Sequence, residues 1–253
     1  MDIQPIAVPM AGKDYPRNWN EFLDFFGSEE ACLAYLEGLR WPQGFVCPNC
    51  AVMAPASRAS RGRLLCKHCG HQGTVTAGTI FDKTRTPLRV WLAGAWYLTN
   101  QKLGVSALGF RRIRLQRIDN DSEACDVPFV QASIEPGAQV TTDGSAAYRS
   151  LSSLGYQHER IVMLGSEVVA PVSMPGVHRV ASLVKRWILG THHGSVQPGH
   201  LDAYLDEFVF RVNRRTSDSR GMLFYRLLQQ AVMTDPMTYN DVVAALPKQA
   251  KNE

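Results

Sequence analysis

The 253-residue chain predicts an α/β protein with a small cysteine-stapled unit on its N-terminal side, and three observations carry that reading. Two Cys-x-x-Cys pairs, Cys47-Pro48-Asn49-Cys50 and Cys66-Lys67-His68-Cys69, stand fifteen residues apart. Beyond them, short apolar runs alternate with helical stretches in strand–helix–strand–helix–strand order between Arg112 and Leu164. Three helical periods then follow, at Val177–Thr191, Pro198–Arg215 and Ser219–Met233.

Composition sets the outer bounds. Hydrophobic content of 45% with 20% charged residues is that of a folded chain. A formal charge of +4 and a pI of about 8.8 permit nucleic-acid binding without requiring it. Met1–Pro16 holds no apolar core of signal-peptide length, and the longest apolar stretch, Val90–Leu98, is far short of a membrane span. These features predict a cytoplasmic protein without membrane contact. In that reducing compartment the six cysteines read as thiols or metal ligands rather than disulfides.

The elements follow in order. Apolar residues Trp19, Phe22, Leu23, Phe26, Leu33, Tyr35 and Leu36 recur at helical spacing across residues 18–39, broken at Gly27-Ser28, where a new cap begins. Residues 41–82 are rich in Cys, Gly, Arg and Thr, as suits a stapled unit. Thr86-Pro87 predicts a cap and first turn for a helix running to about Lys102, with Gly104 as its stop and Val105–Phe110 starting another helical piece. Arg112–Ile118 alternates as a strand, with Ile113 and Leu115 on one face, and Ser122–Ile134 reads as a helix. Val140–Thr142 is a short strand and Ser145–Leu154 a helix ended by Gly155. Glu159–Leu164 is another strand, Gly165–Gly176 a loop, and the tail after Asp235 is loose.

Paired Cys-x-x-Cys knuckles at this separation can aim four thiolates, Cys47, Cys50, Cys66 and Cys69, at one tetrahedral Zn²⁺ about 2.3 Å from each sulfur. Four thiolates leave no open position, so the zinc would be structural; four buried or redox thiols are the alternative. Cys32 and Cys125 stand alone and read as small core residues. Between the knuckles, Arg58, Arg61 and Arg63, followed by Lys67, suit phosphate contacts and equally suit a solvated face. Trp91, Trp96 and Tyr97 read as core rather than base-stacking residues.

Asp143 ends a short strand in Thr142-Asp143-Gly144, where an α/β fold places functional side chains. His178 and Lys185 lie seven residues apart on one helix, so they share a face, while Val180, Leu183, Val184, Trp187 and Ile188 form an apolar set.

The block from Val140 to Leu228 closely resembles bacterial insertion-sequence transposases. It includes Thr142-Asp143-Gly144, His178–Trp187, Gly190-Thr191-His192-His193-Gly194 and Asp206–Arg215. Trp41–Pro87 resembles the N-terminal zinc ribbon of the same family, through the four cysteines and Thr76–Phe81. That resemblance implies a ribonuclease H-like DDE-type domain that cuts and joins DNA with Mg²⁺ or Mn²⁺, and double-stranded transposon ends as its partner. Asp143 then matches the second catalytic acid. His178 falls where relatives carry the third metal ligand. Lys185, with Arg186 beside it, matches a DNA-contacting basic residue, and Glu207 is a fallback acid that reads better as helix-surface charge.

The implied organisation is a helical segment at 1–40, the ribbon at 41–82, a DNA-binding-type helical segment at 83–110, a shortened transposase domain at 111–235 and a tail at 236–253. The departure is at the first acid. Relatives supply it from a strand between the pieces matching Val105–Phe110 and Arg112–Ile118, yet Phe110 runs directly into Arg111-Arg112-Ile113. Asp119 and Asp121 follow a strand instead of lying within the missing one. The domain is therefore expected to lack its first strands, to pair the Arg112 strand against the Val140 strand, and to be loosened. The function expected is that of a transposition protein defective in catalysis. The alternative is a zinc-dependent DNA-binding protein that competes for transposon ends, with homo-oligomers or a full-length transposase as partners.

Overall fold

The computed structural model describes residues 8–59, 62–100, 112–162, 174–192, 196 and 198–237. Arg61, the Val105–Phe110 piece, the Phe110–Arg111 junction, most of the Gly165–Gly176 loop, His193-Gly194 and the tail beyond Met237 lie outside them. The chain forms two compact units. Among the described residues, one combines those of 8–100 with those of 217–237, and the other holds those of 112–216.

In the first unit, α1 (Trp19–Phe25) and α2 (Glu29–Arg40) start where short polar side chains satisfy free N–H groups. The Asn18 Oδ1 accepts from Glu21 N at 3.0 Å, and the Ser28 Oγ accepts from Ala31 N at 3.2 Å. Three two-residue strands, β1 (Ser57–Arg58), β2 (Leu64–Leu65) and β3 (Gln72–Gly73), form an antiparallel sheet in that order. Strands this short cannot hold themselves. Leu64 and Val75 anchor them in a core shared with Phe22, Phe26, Leu36, Leu92 and Trp96.

Helix α3 (Leu88–Asn100) begins after Pro87 as expected, but its N–H groups are capped from a distance. The Glu29 carboxylate accepts from Leu88 N at 2.7 Å. Trp96 is buried, whereas Trp91 and Tyr97 are 40% and 52% exposed, so two of the three aromatics read as core lie at the surface. Their positions on α3 explain it: the buried face carries Leu88, Leu92, Trp96 and Thr99, a spacing of four, four and three that leaves 91 and 97 outside.

The last helix of the described chain, α7 (Arg220–Ala231), was expected in the C-terminal domain and instead packs in the first unit. Phe224 is fully buried among Phe22, Phe26 and Trp96, with ring centroids 5.4–5.8 Å apart. Gly221 makes the approach possible: an added Cβ would collide with the Pro16 carbonyl oxygen and sit 2.7 Å from the Tyr15 ring.

The second unit holds α4 (Glu123–Ser133), β4 (Gln139–Asp143), a 3₁₀ turn (Ala146–Leu151) in place of the helix expected there, β5 (Gln157–Ile161), α5 (Pro175–His192) and α6 (Leu201–Asn213). Strands β4 and β5 pair in parallel from Gln139↔Gln157 to Asp143↔Ile161, and β4 has no other ladder among the described residues. A parallel crossover with a helix is the unit from which α/β folds are built. The predicted α/β class holds.

Arg112–Ile118, in contrast, makes no strand ladder, and the expected pairing with the Val140 strand does not form. Its alternation is real, but Ile113 and Leu115 face helices: Ile113 is buried with Trp187, Phe208 and Val212. The Asn213 side chain substitutes for a neighbouring strand. Its Oδ1 accepts from Ile113 N at 2.7 Å, and its Nδ2 donates to Ile113 O at 2.9 Å. Both backbone groups of a buried residue thus depend on one amide. Asn213→Ala leaves them unpaired, at about 1–3 kcal/mol each. Amide exchange at Ile113 should accelerate by two or more orders of magnitude, while exchange along α7 stays the same. Val127, Val130, Val140, Leu151 and Tyr156 form a separate small core under β4.

Candidate functional site

The ribbon builds its metal centre from two tight turns. Ala51 N donates to Cys47 O at 2.8 Å and Gly70 N to Cys66 O at 2.9 Å, so each knuckle reverses and returns its second cysteine toward the first. Left-handed backbone at Ala51 (φ 56°) and Gly70 (φ 73°) closes the two reversals. The four sulfurs all fall within 4.8 Å of one another, the one such set of three or more metal-binding groups found among the described residues. Cys47 and Cys69 sulfurs are 3.6 Å apart and those of Cys50 and Cys66 3.8 Å. A tetrahedron with Zn–S bonds of about 2.3 Å has edges of about 3.8 Å, so these sulfurs stand where zinc needs them.

The surroundings prepare one thiolate. The His71 N–H and the Asn49 side-chain amide draw the Cys69 thiol down to about 6. At Cys50 the Val52 N–H pulls down too, but desolvation and the neighbouring sulfurs outweigh it and leave that thiol at about 12. Four thiols this close cannot all ionise without a cation between them. Cys32 belongs to the core as expected, its thiol raised to about 11 by burial and then by Glu29. Cys125 is only half-buried and donates to Asn120 Oδ1 at 3.6 Å.

Of the basic residues between the knuckles, Arg58 is already engaged by Glu37 at 2.9 Å, although largely exposed. Arg63 donates to Gln72 Oε1 at 3.4 Å, and Lys67 is exposed.

In the second unit Asp143 closes β4, and its Oδ1 accepts from Ser145 N at 3.0 Å. His178 lies in the first turn of α5, half-buried, and no hydrogen bond joins it to Asp143 among the described residues. Lys185 and Arg186 are exposed on the same helix. Lys185 shares with Arg112 and Arg114 the lining of a groove of about 600 Å³, which Val177, Val180 and Val184 also line. Glu207 pairs with Arg211 one turn along α6 at 2.6 Å, which accounts for it as helix-surface charge.

The sequence did not single out what surrounds Asp143. Asp126, in the first turn of α4, is 5% exposed, and burial, then contact with the Asp121 carboxyl, holds its own carboxyl above the usual range. Asp121 in turn accepts from the Ser145 hydroxyl at 3.3 Å. The Tyr148 hydroxyl is pushed up to about 12 by burial and by the charges of Asp126, Asp143 and Asp121.

A four-sulfur ribbon and an α/β unit with an aspartate at its strand end define a zinc-ribbon α/β protein. Two family models match: the transposase zinc-ribbon domain over residues 27–72 and the ISXO2-like transposase domain over residues 99–213. The chain belongs to the insertion-sequence transposases that carry an N-terminal zinc ribbon. No curated protein and no solved structure matches it. Among the described residues no helix is long and apolar enough to cross a membrane.

Proposed function

We propose that this chain is a transposase-family protein that binds the duplex ends of its element through a zinc-held ribbon and does not cut or join them. The observation that carries the reading is the donor set around Asp143. Two-metal strand transfer needs carboxylate oxygens bridging ions about 3.5–4 Å apart. Asp143 and His178 supply one carboxylate and one imidazole, they are not joined, and no further acid is gathered with both of them. Mg²⁺ in particular prefers oxygen donors and strict geometry, so this pair does not fit the two ions of the family's reaction. The direct passage from Phe110 to Arg112 supports an internal shortening as the cause.

Binding without chemistry is supported by the ribbon geometry and by the basic groove lining of Arg112, Arg114 and Lys185. Phosphate contacts by such residues release counterions, so affinity should fall linearly in log salt. The test is anisotropy of a labelled element-end duplex against a random duplex, with the zinc-loaded chain. End preference should be present, and Lys185→Ala should flatten the salt slope by about one unit without changing that preference. Equal affinity for both duplexes sinks the binding reading. Nicking or joining of end DNA with Mg²⁺ or Mn²⁺, abolished by Asp143→Ala, sinks the defect.

A further inference from the structure

We propose that the chain's own C-terminal segment, Tyr239–Leu246, seats its apolar side in a groove between α3 and α7. The proposal does not rest on the DNA reading.

The groove encloses about 520 Å³ and belongs to the N-terminal unit alone. Val90, Trp91, Gly94 and Leu98 line it from α3, and Leu227 and Ala231 line it from α7. No charged side chain is among its described lining residues. The Trp91 indole N–H is already given to Thr84 Oγ1 at 2.9 Å. A phosphate or other ion finds no partner here, so the occupant has to be apolar. Val90 is nevertheless 57% exposed, and Trp91 is exposed beside it, so apolar area stands in water until something covers it. At Gly94 an added Cβ would meet nothing within 4 Å, which leaves an incoming side chain room above the α3 backbone.

Chain length selects the occupant. Ala231 both lines the groove and ends α7, where Val232 N donates to Leu228 O at 3.1 Å. The described chain runs on to Met237, with Met233 and Met237 exposed. The sequence then continues from Thr238 to Glu253. Val242 is eleven residues beyond Ala231, a stretch that can span up to about 35 Å. Helix α3, with 13 residues, is about 20 Å long, so the segment reaches any point along the groove.

The pattern of the segment fits as well. Tyr239, Val242, Val243 and Leu246 stand at i, i+3, i+4 and i+7, the spacing that gathers four apolar side chains on one helical face. Pro247 ends the period, and Lys248 and Lys251 follow. So short a stretch has no helical stability of its own in water, which is why the tail reads as loose from sequence alone. The groove supplies the apolar surface that it lacks. Tethering favours this segment over a second copy of the chain. A short linker holds a segment at an effective concentration on the order of millimolar, above that of a second chain in ordinary solution. The seated segment therefore keeps the groove from pairing between chains.

The experiment follows the Trp91 indole N–H resonance of the zinc-loaded full chain, assigned by its loss in Trp91→Phe. Val242→Asp combined with Leu246→Asp should shift that resonance, because two charges on the apolar face unseat the segment. Ala244→Asp, on the opposite face of the same period, should leave it in place. A synthetic peptide of residues 236–253, added to the double variant at up to about 1 mM, should return the resonance to its native position. An unshifted resonance in the double variant overturns the proposal. So does an equal shift in Ala244→Asp, or a peptide without effect. Sedimentation tests the other occupant. A native dimer that Val90→Asp dissociates and the double variant does not would put a second copy in the groove, and overturns the proposal too.

Discussion

Chelation of zinc from the purified chain should unfold the ribbon outright while most of the helical signal survives. Structural zinc contributes about 10–16 kcal/mol of apparent folding free energy in comparable small sites. That is comparable to the whole stability of a typical domain, so the ribbon has no reserve with which to stay folded. Strands of two residues have almost no independent stability. Their register, Ser57↔Leu65 and Leu64↔Gly73, exists because the two knuckles are pinned to one point. The helices of the same unit have another source of cohesion, the contacts of Phe22, Phe26, Leu92, Trp96 and Phe224 on one another. Calorimetry and far-UV circular dichroism before and after a strong chelator, with metal analysis giving one zinc per chain, measure this directly. Cys66→Ser should reproduce the chelated state. Because thiolates and not thiols bind the metal, acid should release it as well. An unchanged ribbon after complete zinc removal would show that its apolar core suffices and that the sulfurs are incidental.

Phe224→Ala should lower the stability of the N-terminal unit by about 3–5 kcal/mol, the range for deleting a buried phenyl ring. The position is fully enclosed, and its ring meets Phe22, Phe26 and Trp96, all more than a hundred residues earlier in the chain. Trp96 fluorescence in a denaturant titration reports the affected core. The unit built on β4 and β5 does not contain Phe224 and should keep its own transition. A loss below about 1 kcal/mol in the Trp96-reported transition would mean that α7 does not complete this core.

What could be read in advance was whatever depends on neighbours in sequence. The break at Gly27-Ser28 held because a serine cap and the N–H that donates to it lie three residues apart. The zinc centre was legible for the same reason: each knuckle is a local turn, and only the joining of two knuckles is long-range. The alternation at Arg112–Ile118 was also a true signal, but period two records only that one side is buried. It does not say whether a strand or a helix does the burying, and here Trp187, Phe208 and Asn213 do. Asp126 escaped notice because an acid in the first turn of a helix is ordinarily solvated and stabilised by the helix dipole. Its burial is set by the fold around it, and burial, then the Asp121 carboxyl, holds its own carboxyl above the usual range.

By itself the sequence determined the family, the four zinc ligands and the α/β class, since these rest on spacing and order along the chain. Tertiary structure alone decided that α7 closes the ribbon unit, that Arg112–Ile118 lies against helices and that Asp126 is buried. Spacing fixes which side chains share a local turn or face, whereas the partners of a buried face, and the charge that a buried acid keeps, are settled only when distant segments exclude water together.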